Sequence, residues 1–474
     1  MTLPKEFEDY TRKLMGDKLY DTLKHGLEEE ASTSIRINPC KDPTPFPSPT
    51  GRGDAIPWCK DGFYLKERPA FTFDPLLHAG LYYVQESSSM FVCEVVRQLI
   101  KEPVMMLDLC AAPGGKTTAL RSVLPEGSLL FSNEPVKTRA SILKENVIKF
   151  GHPDVIVTNN YPKDYRKAKL SFDAILADVP CSGEGMFRKD PNSITEWSPS
   201  NVEKCWQLQR SIIEDIWPCL KPGGILIYST CTFNAHEDEE NVAWIAENLG
   251  ADFVTIDTKP KWNITGSLID NNPVCRFIPG KTKGEGLFLA VLRKHRGDAA
   301  SASNTSSRYS NAIPNVGKGK RSTQKTSSPQ LEQGSWLQGT FDFIEDKDII
   351  RDIPSSWFTI YNNVKSKLHI IHAGVGIGTR KGKAIIPDAS LALSTALNTD
   401  AFPHADLNYA DAIRFLRREA VTLPPDTPKG FVLITYKGHP LGFEKNIGNR
   451  ANNLYPQEWR IKSTHVSQEE VVLL

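Results

Sequence analysis

The sequence predicts an α/β fold built on a mostly parallel sheet, and two observations support this. Strand-like and helix-like patterns alternate from about residue 86 to residue 296. A long helix pattern at 201–220 stops at Lys221-Pro222-Gly223-Gly224, a typical helix end, and another strand pattern follows at once. Such alternation indicates parallel strands with helices on both faces of the sheet, whose active sites lie beyond the carboxyl ends of the strands.

The elements follow in chain order. Before the sheet, the pattern predicts a charged helix at about 4–30 and a short strand in Ser34-Ile35-Arg36-Ile37-Asn38-Pro39, where apolar and polar residues alternate. The predicted strands of the sheet are 104–109, 127–132, 154–158, 173–178, 224–229 and 286–293, and the predicted helices are 117–124, 136–150 and 201–220. The last of these strands has no helix pattern before it.

Composition divides the chain into four regions: an N-terminal region at 1–70, the alternating region at 71–296, a linker at 297–339 and a second globular region at 340–474. Between residues 293 and 325 there are eight Lys or Arg residues and one acid, Asp298. This segment is also rich in Ser, Thr, Asn and Gly, so we expect a flexible basic linker. Such a linker provides solubility and reach, or contacts phosphates.

The bulk composition excludes several classes of protein. The 474 residues carry a formal net charge of +1, and no apolar run reaches the roughly 20 residues that a membrane span needs. The N-terminus lacks a signal-peptide core, so we expect a cytoplasmic protein. The nine cysteines are scattered without paired zinc spacing, which favours reduced thiols and no metal site.

Two segments of the second globular region imitate ligand sites. His369-Ile370-Ile371-His372 has two histidines and no nearby acid, so we predict a strand edge and not a zinc site. Gly374–Thr379 imitates a phosphate loop, but no clear strand-to-helix turn surrounds it, and we predict a simple turn.

A glycine loop follows the first strand of the sheet, in Asp108-Leu109-Cys110-Ala111-Ala112-Pro113-Gly114-Gly115-Lys116-Thr117. Backbone N–H groups in such a strand–turn–helix unit face a ligand. Glu134, at the end of the second strand, is placed to bind a ribose, and Asp108 and Asp178 flank the pocket. The layout indicates an adenosine-containing cofactor. A phosphate loop and a purely structural glycine turn are the alternatives. The phosphate loop requires Gly at position 110, where this chain has Cys110.

Two cysteines follow strands at the same predicted edge, in Pro180-Cys181-Ser182-Gly183 and in Ser229-Thr230-Cys231-Thr232. A thiolate that adds to carbon 6 of cytosine makes carbon 5 nucleophilic enough to take a methyl group from a sulfonium donor. This chemistry needs a thiolate, a hydrogen-bonding group at the base and a nearby methyl donor. Cys231, Asp178 and the glycine loop provide one of each. Other cysteines, such as Cys93, are expected to be small buried hydrophobes.

These segments together resemble the RNA 5-methylcytosine methyltransferases, a family that uses S-adenosylmethionine. The resemblance implies a seven-stranded Rossmann-like methyltransferase sheet, with an N-terminal RNA-contact region before it and a C-terminal PUA-like α+β domain after it. The residues that carry it are Asp108–Thr117, Asp178–Gly185 and Ser229–Thr232, with flanking matches at 34–39, 83–89, 442–445 and 453–460. The tail resembles the branch of the family that modifies bacterial 16S ribosomal RNA.

The resemblance also implies roles for individual residues. Cys231 is the nucleophile, Cys181 helps to release the product, and Lys116 and Asp178 lie near the target base as well as the cofactor. The implied cofactor-binding residues are Cys110, Ala111, Ala112, Pro113, Gly114, Gly115, Lys116, Glu134, Asn160 and Asp178. The family usually has an acid at the position of Asn160. We expect the side-chain amide of Asn160 to hydrogen-bond the adenine instead.

We therefore expect a monomeric RNA cytosine-5 methyltransferase that acts on ribosomal RNA, with the small ribosomal subunit as a possible context and with neither a membrane nor a metal as partner. Transfer RNA is the alternative substrate within the same class. From other classes, a catalytically idle RNA-binding assembly factor and an ATPase are the alternatives, and Cys110 argues against the ATPase.

Overall fold

The computed structural model describes residues 1–41, 52–296 and 336–463, together with residues 470, 471, 473 and 474. The predicted flexible linker at 297–339 lies outside the described residues, apart from its last four positions. None of the helices in the described ranges is both long and apolar enough to cross a bilayer.

The N-terminal region is a helix followed by a small antiparallel sheet. Its elements are α1 (Lys5–Glu28), β1 (Ser34–Ile37), β2 (Arg52–Ala55), β3 (Gly62–Leu65), α2 (Pro75–His78) and β4 (Tyr82–Val84). The helix fills most of the predicted span but is interrupted at Gly16, which has a left-handed φ of 70°. The predicted strand at 34–39 is confirmed by β1, which pairs with β3 on one side and β4 on the other. Since β4 belongs to this sheet, the N-terminal sheet extends past residue 70.

A large central sheet with helices on both faces dominates the molecule. Its region comprises α3 (Val92–Leu99), β5 (Met105–Asp108), α4 (Gly115–Val123), β6 (Leu129–Asn133), α5 (Lys137–Phe150), β7 (Val155–Thr158), α6 (Pro162–Ala168), β8 (Phe172–Asp178), α7 (Pro191–Glu196), α8 (Pro199–Ile216), β9 (Leu220–Thr230), α9 (Glu239–Leu249), β10 (Ala251–Phe253), β11 (Val274–Phe277) and β12 (Leu287–Lys294). The strands β9, β8, β5, β6 and β7 are neighbours in that order and run parallel, which confirms the predicted α/β class. The strand without a preceding helix, β12, pairs antiparallel with β9.

The central sheet holds nine strands, two more than the expected seven. Seven of them are neighbours in the order β10-β12-β9-β8-β5-β6-β7. The two additions are β11, which pairs with β12, and a strand of the C-terminal region, Ile370–Ala373, which pairs with β7. Both additions are short antiparallel strands, and the second comes from a part of the chain that sequence patterns assign to another region.

The central strands are buried on both faces, as parallel strands covered by helices must be. Alternate residues of β5 enter opposite cores: Leu107 packs with Ile175 on one face, and Met106 packs with Leu176 on the other. All four side chains are fully buried. This two-sided packing fixes the position of the strand ends, where the loops with the candidate residues begin.

The C-terminal region contains two four-stranded sheets. Its elements are β13 (Phe341–Asp346), β14 (Ile349–Pro354), α10 (Phe358–Val364), β15 (Ile370–Ala373), β16 (Val375–Lys381), β17 (Ala384–Pro387), α11 (Ala389–Leu393), β18 (His404–Leu407), α12 (Tyr409–Leu416), β19 (Gly430–Tyr436), β20 (His439–Asn446) and β21 (Ala451–Asn453). The predicted strand edge at 369–372 is confirmed, because β15 is the outermost strand beside β7. The predicted turn at Gly374–Thr379 is wrong beyond Gly374 itself, since β16 pairs with both β14 and β17.

The C-terminal region packs directly on the central sheet and its helices. Besides the β15–β7 pairing, the indole N–H of Trp357 donates to Asp154 at 2.9 Å, and the backbone N–H of Thr395 donates to the carbonyl of Gly151 at 2.9 Å. Both acceptors lie just before β7, so this side of the central sheet is covered by chain that lies beyond the linker.

Candidate active site

The candidate residues meet at the carboxyl edge of the parallel strands. The 108–116 loop follows β5, Glu134 follows β6, and Asn160 follows β7. Asp178 ends β8 and leads to Cys181, and Cys231 follows β9. Five separate segments of sequence therefore contribute to one edge, as the α/β prediction requires.

The two predicted thiols lie side by side. Their sulfur atoms are 3.1 Å apart, and the backbone N–H of Cys231 also points at the sulfur of Cys181, at 3.3 Å. The hydrogen bond with Cys231 raises the pKa of the Cys181 thiol well above its ordinary value, and burial and the nearby Glu237 raise it further. Cys181 is thus the protonated partner, and its S–H can donate to the sulfur of Cys231.

A lysine–aspartate pair lies beside the thiols. The ammonium of Lys116 contacts Asp178 Oδ2 at 2.8 Å, and the hydroxyl of Ser229 donates to Asp178 Oδ1 at 2.7 Å. Burial opposes the charge of Lys116, but the attraction and hydrogen bond of Asp178 outweigh burial, and the pKa of Lys116 is raised. Asp178 is three residues before Cys181 and Ser229 is two residues before Cys231, so this pair lies on the two neighbouring strands that lead to the thiols. The site therefore holds a cation and a hydrogen-bonding carboxylate next to a thiol.

The glycine loop has the form that close approach to a ligand requires. Gly114 has a φ of 115°, a conformation in which a side chain would be strained, and α4 begins at the next residue. The loop is anchored from outside, since Asn146 Nδ2 donates to the carbonyl of Pro113 at 2.8 Å. Burial raises the pKa of the Cys110 thiol strongly, so Cys110 lines this loop as a neutral group.

A buried acceptor without a partner lies at the base of the loop. Asp108 is fully buried, and its Oδ2 accepts from the hydroxyl of Thr117 at 2.6 Å, while its Oδ1 has no hydrogen-bond partner. Burial raises the pKa of Asp108 to about 7, against the lowering effect of the Thr117 hydrogen bond. An unpaired buried acceptor is costly. The amino acid end of S-adenosylmethionine carries N–H donors. A loop with an unpaired acceptor, Asp108 Oδ1, therefore fits that cofactor.

Glu134 and Asn160 lie at the ends of β6 and β7, where the adenosine is expected. The carboxylate of Glu134 is almost fully buried and accepts from the N–H of Val136 at 2.9 Å through Oε1. The side-chain oxygen Oδ1 of Asn160 accepts from the backbone N–H of His369 at 2.9 Å. Sequence patterns give no sign of this last contact, because the two residues are 209 positions apart.

Two further acids hold the thiol loops and are not among the residues predicted from sequence. Glu184 binds the segment after Cys231, and Glu237 binds the segment after Cys181. Glu184 is part of the Asp178–Gly185 match, and this position in the motif is the sequence feature that could have identified it. Among the described residues, no group of three or more His, Cys, Asp or Glu side chains is arranged to hold a metal ion.

Family models match three parts of the chain. The model described as 16S rRNA methyltransferase RsmB/F matches residues 99–293. The model for the N-terminal domain of 16S rRNA methyltransferase RsmF matches residues 3–87, and the model for the methyltransferase RsmF PUA domain matches residues 402–461. These matches coincide with the central sheet, the N-terminal sheet and the last small sheet.

Curated relatives are similar along nearly the whole chain. Ribosomal RNA small subunit methyltransferase F of Aliivibrio fischeri is 31% identical over 427 residues, with 85% of each chain covered. The protein of the same name from Serratia proteamaculans is 29% identical over 473 residues, with 96% of each chain covered.

Solved structures share the fold of about three fifths of the chain. A methyltransferase homolog from Pyrococcus horikoshii has a TM-score of 0.53 and 25% identity, and the match covers 61% of this chain and 95% of that one. NSun6 from the same organism, solved with SFG, has a TM-score of 0.52 and 21% identity, covering 62% of this chain and 99% of that one. Taken with the site geometry, the models and the curated relatives lead to one conclusion: the chain belongs to the ribosomal RNA small subunit methyltransferase F family.

Proposed function

We propose that the protein transfers a methyl group from S-adenosylmethionine to carbon 5 of a cytosine in 16S ribosomal RNA, through a covalent bond between Cys231 and the base. The observation that carries this proposal is the 3.1 Å contact between the sulfur atoms of Cys231 and Cys181, at the sheet edge that also holds the glycine loop. Family membership supports the RNA substrate.

The reaction begins with Cys231. Its thiolate adds to carbon 6 of a cytosine that has left the RNA stack, and the electron pair of the ring double bond moves to carbon 5. Lys116 would stabilise the negative charge at the sulfur and on the ring, and Asp178 holds that ammonium in place at 2.8 Å. Carbon 5 then takes the methyl group that S-adenosylmethionine supplies. Loss of the carbon-5 proton restores the ring double bond and expels Cys231.

Cys181 is the residue that we assign to product release. Its raised pKa keeps it protonated, so its S–H can donate a hydrogen bond to the sulfur of Cys231 as that sulfur leaves carbon 6. A leaving thiolate that receives a hydrogen bond departs more easily, because the developing charge is stabilised.

The adenosine part of the cofactor is assigned to β6 and β7. The buried carboxylate of Glu134 would accept hydrogen bonds from the ribose hydroxyls, and the amide of Asn160 would meet the adenine. Gly114 and Gly115 allow close approach of the backbone, and Asp108 Oδ1 is an acceptor still without a partner.

The regions outside the central sheet would contact the RNA. We assign this role to residues 1–70 and to the PUA-like part of 340–474, with the catalytic domain at 71–296 between them. Exposed cations on the last small sheet and after it, namely Lys445, Arg450, Arg460 and Lys462, are available for phosphate contacts. We expect a monomer in the cytoplasm, where either free 16S RNA or the small subunit is the substrate.

Two variants test the covalent mechanism. Cys231→Ala is expected to abolish both tritium transfer from labelled S-adenosylmethionine and the covalent RNA complex. Cys181→Ala is expected to leave an RNA–protein adduct that persists on a denaturing gel. Normal turnover by either variant would contradict the role assigned to that thiol.

Bisulfite sequencing of ribosomal and transfer RNA from a deletion strain tests the substrate. Loss of one methylated cytosine in 16S RNA is expected, and loss in a transfer RNA instead would support the alternative substrate. An assembly factor without activity would leave all methylated cytosines in place.

A further inference from the structure

Glu184 is a buried carboxylate surrounded by hydrogen-bond donors. It is 1% exposed, and it accepts five hydrogen bonds. Its Oε2 accepts from the Thr232 hydroxyl at 2.6 Å, the Phe233 N–H at 2.7 Å and the Asn234 N–H at 3.1 Å. Its Oε1 accepts from the indole N–H of Trp197 at 2.9 Å and from Asn234 Nδ2 at 3.1 Å. Five donors on two oxygens is the pattern of an ionised carboxylate.

These hydrogen bonds join the two cysteine loops. Glu184 is three residues after Cys181, and four of its five donors come from the three residues after Cys231. The next residue, Gly185, donates its N–H to the carbonyl of Cys231 at 2.8 Å. A Cβ at Gly185 would lie only 2.8 Å from that carbonyl oxygen, so the two backbones are in direct contact. The segment after one thiol is therefore fixed to the segment around the other.

Glu237 makes a second connection between the same loops. It accepts from the N–H of Ser182 at 3.0 Å, from Gln209 Nε2 at 2.7 Å and from Asn234 Nδ2 at 2.9 Å. No Lys or Arg among the described residues pairs with Glu184 or Glu237 within ion-pair distance. Two buried carboxylates are expensive to desolvate without a cation. The hydrogen bonds from the cysteine loops offset this cost, so both loops must keep their positions for the carboxylates to stay buried.

We infer that Glu184 is a positioning residue that holds the Cys181 thiol against Cys231 for product release, with Glu237 as its support; this inference rests on the covalent mechanism proposed above. During release the sulfur of Cys231 leaves carbon 6 with the bonding electron pair. A solvent base, water or hydroxide, takes the carbon-5 proton, and the electrons of that C–H bond restore the ring double bond. Cys181 stabilises the leaving sulfur only while the two sulfur atoms remain in contact.

Glu184→Gln tests this inference because it changes one atom. Whichever way the amide turns, its NH₂ group faces donors: Trp197 and Asn234 Nδ2 on one side, or three donors on the other. The loops must then separate. Since a displacement of about 1 Å in a catalytic group can cost roughly 100-fold in rate, we expect release to slow by about that factor. The value of kcat should fall, whereas kcat/KM for RNA should stay near that of the wild type, because the steps up to methyl transfer are unchanged.

The measurement is the fraction of enzyme in the covalent adduct with ordinary RNA, together with single-turnover product release. Glu184→Gln is expected to accumulate adduct, as Cys181→Ala does. Asp154→Asn is the matched control, because Asp154 is a half-buried carboxylate that also accepts from an indole N–H, that of Trp357 at 2.9 Å, and it lies at the amino end of β7, away from the thiols. It should lower the melting temperature without changing the adduct fraction.

A second variant and a second RNA make every outcome informative. If Glu184→Gln does not fold, Trp197→Phe takes its place as the test. This variant removes one donor and keeps the carboxylate, and it should raise the adduct fraction by a smaller factor. A wild-type adduct fraction in the folded Glu184→Gln protein, or in Trp197→Phe when Glu184→Gln does not fold, overturns the inference. RNA that contains 5-fluorocytidine traps the adduct because carbon 5 has no proton to lose. Failure of the wild type to form that adduct would instead overturn the proposed function.

Discussion

The Lys116–Asp178 pair leads to a prediction about stability and pH. In Asp178→Asn, an amide replaces the carboxylate that contacts the ammonium at 2.8 Å. The two side chains are 17% and 29% exposed, so the pair is only partly buried. A buried donor that loses its charged acceptor costs about 1–3 kcal/mol, below the 3–5 kcal/mol of a fully buried pair. We therefore expect the variant to lose about 1–3 kcal/mol of unfolding free energy near pH 7.

The pH dependence follows from the pKa of Lys116. In the wild type this pKa is raised, so the stabilising charge is present below the unfolded value of about 10.4 and is lost only as pH rises through the higher folded value. In the variant, burial remains but the attraction of Asp178 is absent, so the folded pKa falls below the unfolded one. Folded Lys116 then releases its proton first, and the stability of the variant rises with pH. The difference between the two proteins should shrink between pH 7 and pH 10.

Urea unfolding at several pH values measures this difference. Asp173→Asn is a useful control, because Asp173 lies on the same strand and pairs with Lys221 at 2.6 Å, with each side chain about one third exposed. Its effect should be smaller, as for other exposed pairs. A difference for Asp178→Asn that stays constant, or grows, from pH 7 to pH 10 would refute the reasoning.

Three further predictions concern the cofactor and the core. Glu134→Ala should weaken S-adenosylmethionine binding about ten- to hundredfold in calorimetry, since a hydrogen bond to a charged group is worth about 1.5–3 kcal/mol; unchanged affinity would contradict the ribose assignment. Asn160→Ala should weaken the same binding by about tenfold or less, since a neutral hydrogen bond contributes about 1 kcal/mol, and an effect as large as that of Glu134→Ala would contradict it. Arg276→Met should cost about 3–5 kcal/mol in urea unfolding, because it strands Asp238 and Glu239, which are fully buried beside Arg276; a neutral effect would refute this.

The central sheet was predictable because its signals are local. The predicted strand at 173–178 corresponds to β8 (Phe172–Asp178), and the predicted helix at 136–150 corresponds to α5 (Lys137–Phe150). In each case a continuous apolar run or a helical periodicity ends at a recognisable signal, such as Gly151, which has a φ of 87°. The meeting of Cys181 and Cys231 also followed, since both come after parallel strands that end at the same edge.

The remaining features depend on contacts between distant segments. The strand β15 was recognised as a strand, but its pairing with β7 depends on how the C-terminal region packs, which local periodicity does not encode. The same packing supplies the His369 N–H for Asn160. The role of Glu184 was hidden for a related reason. An acid in a loop suggests an exposed position, and only the fold shows that five donors surround it.

The β7–β15 pairing limits how far the chain can be shortened before it aggregates. A catalytic fragment cut at residue 296 would lack β15 and would leave the backbone N–H and C=O groups of β7 open along the sheet edge. Open edges of this kind recruit strands from other molecules and promote aggregation. Shortened forms of the enzyme should therefore keep residues 336–398. A catalytic core expressed alone is expected to precipitate or to form oligomers.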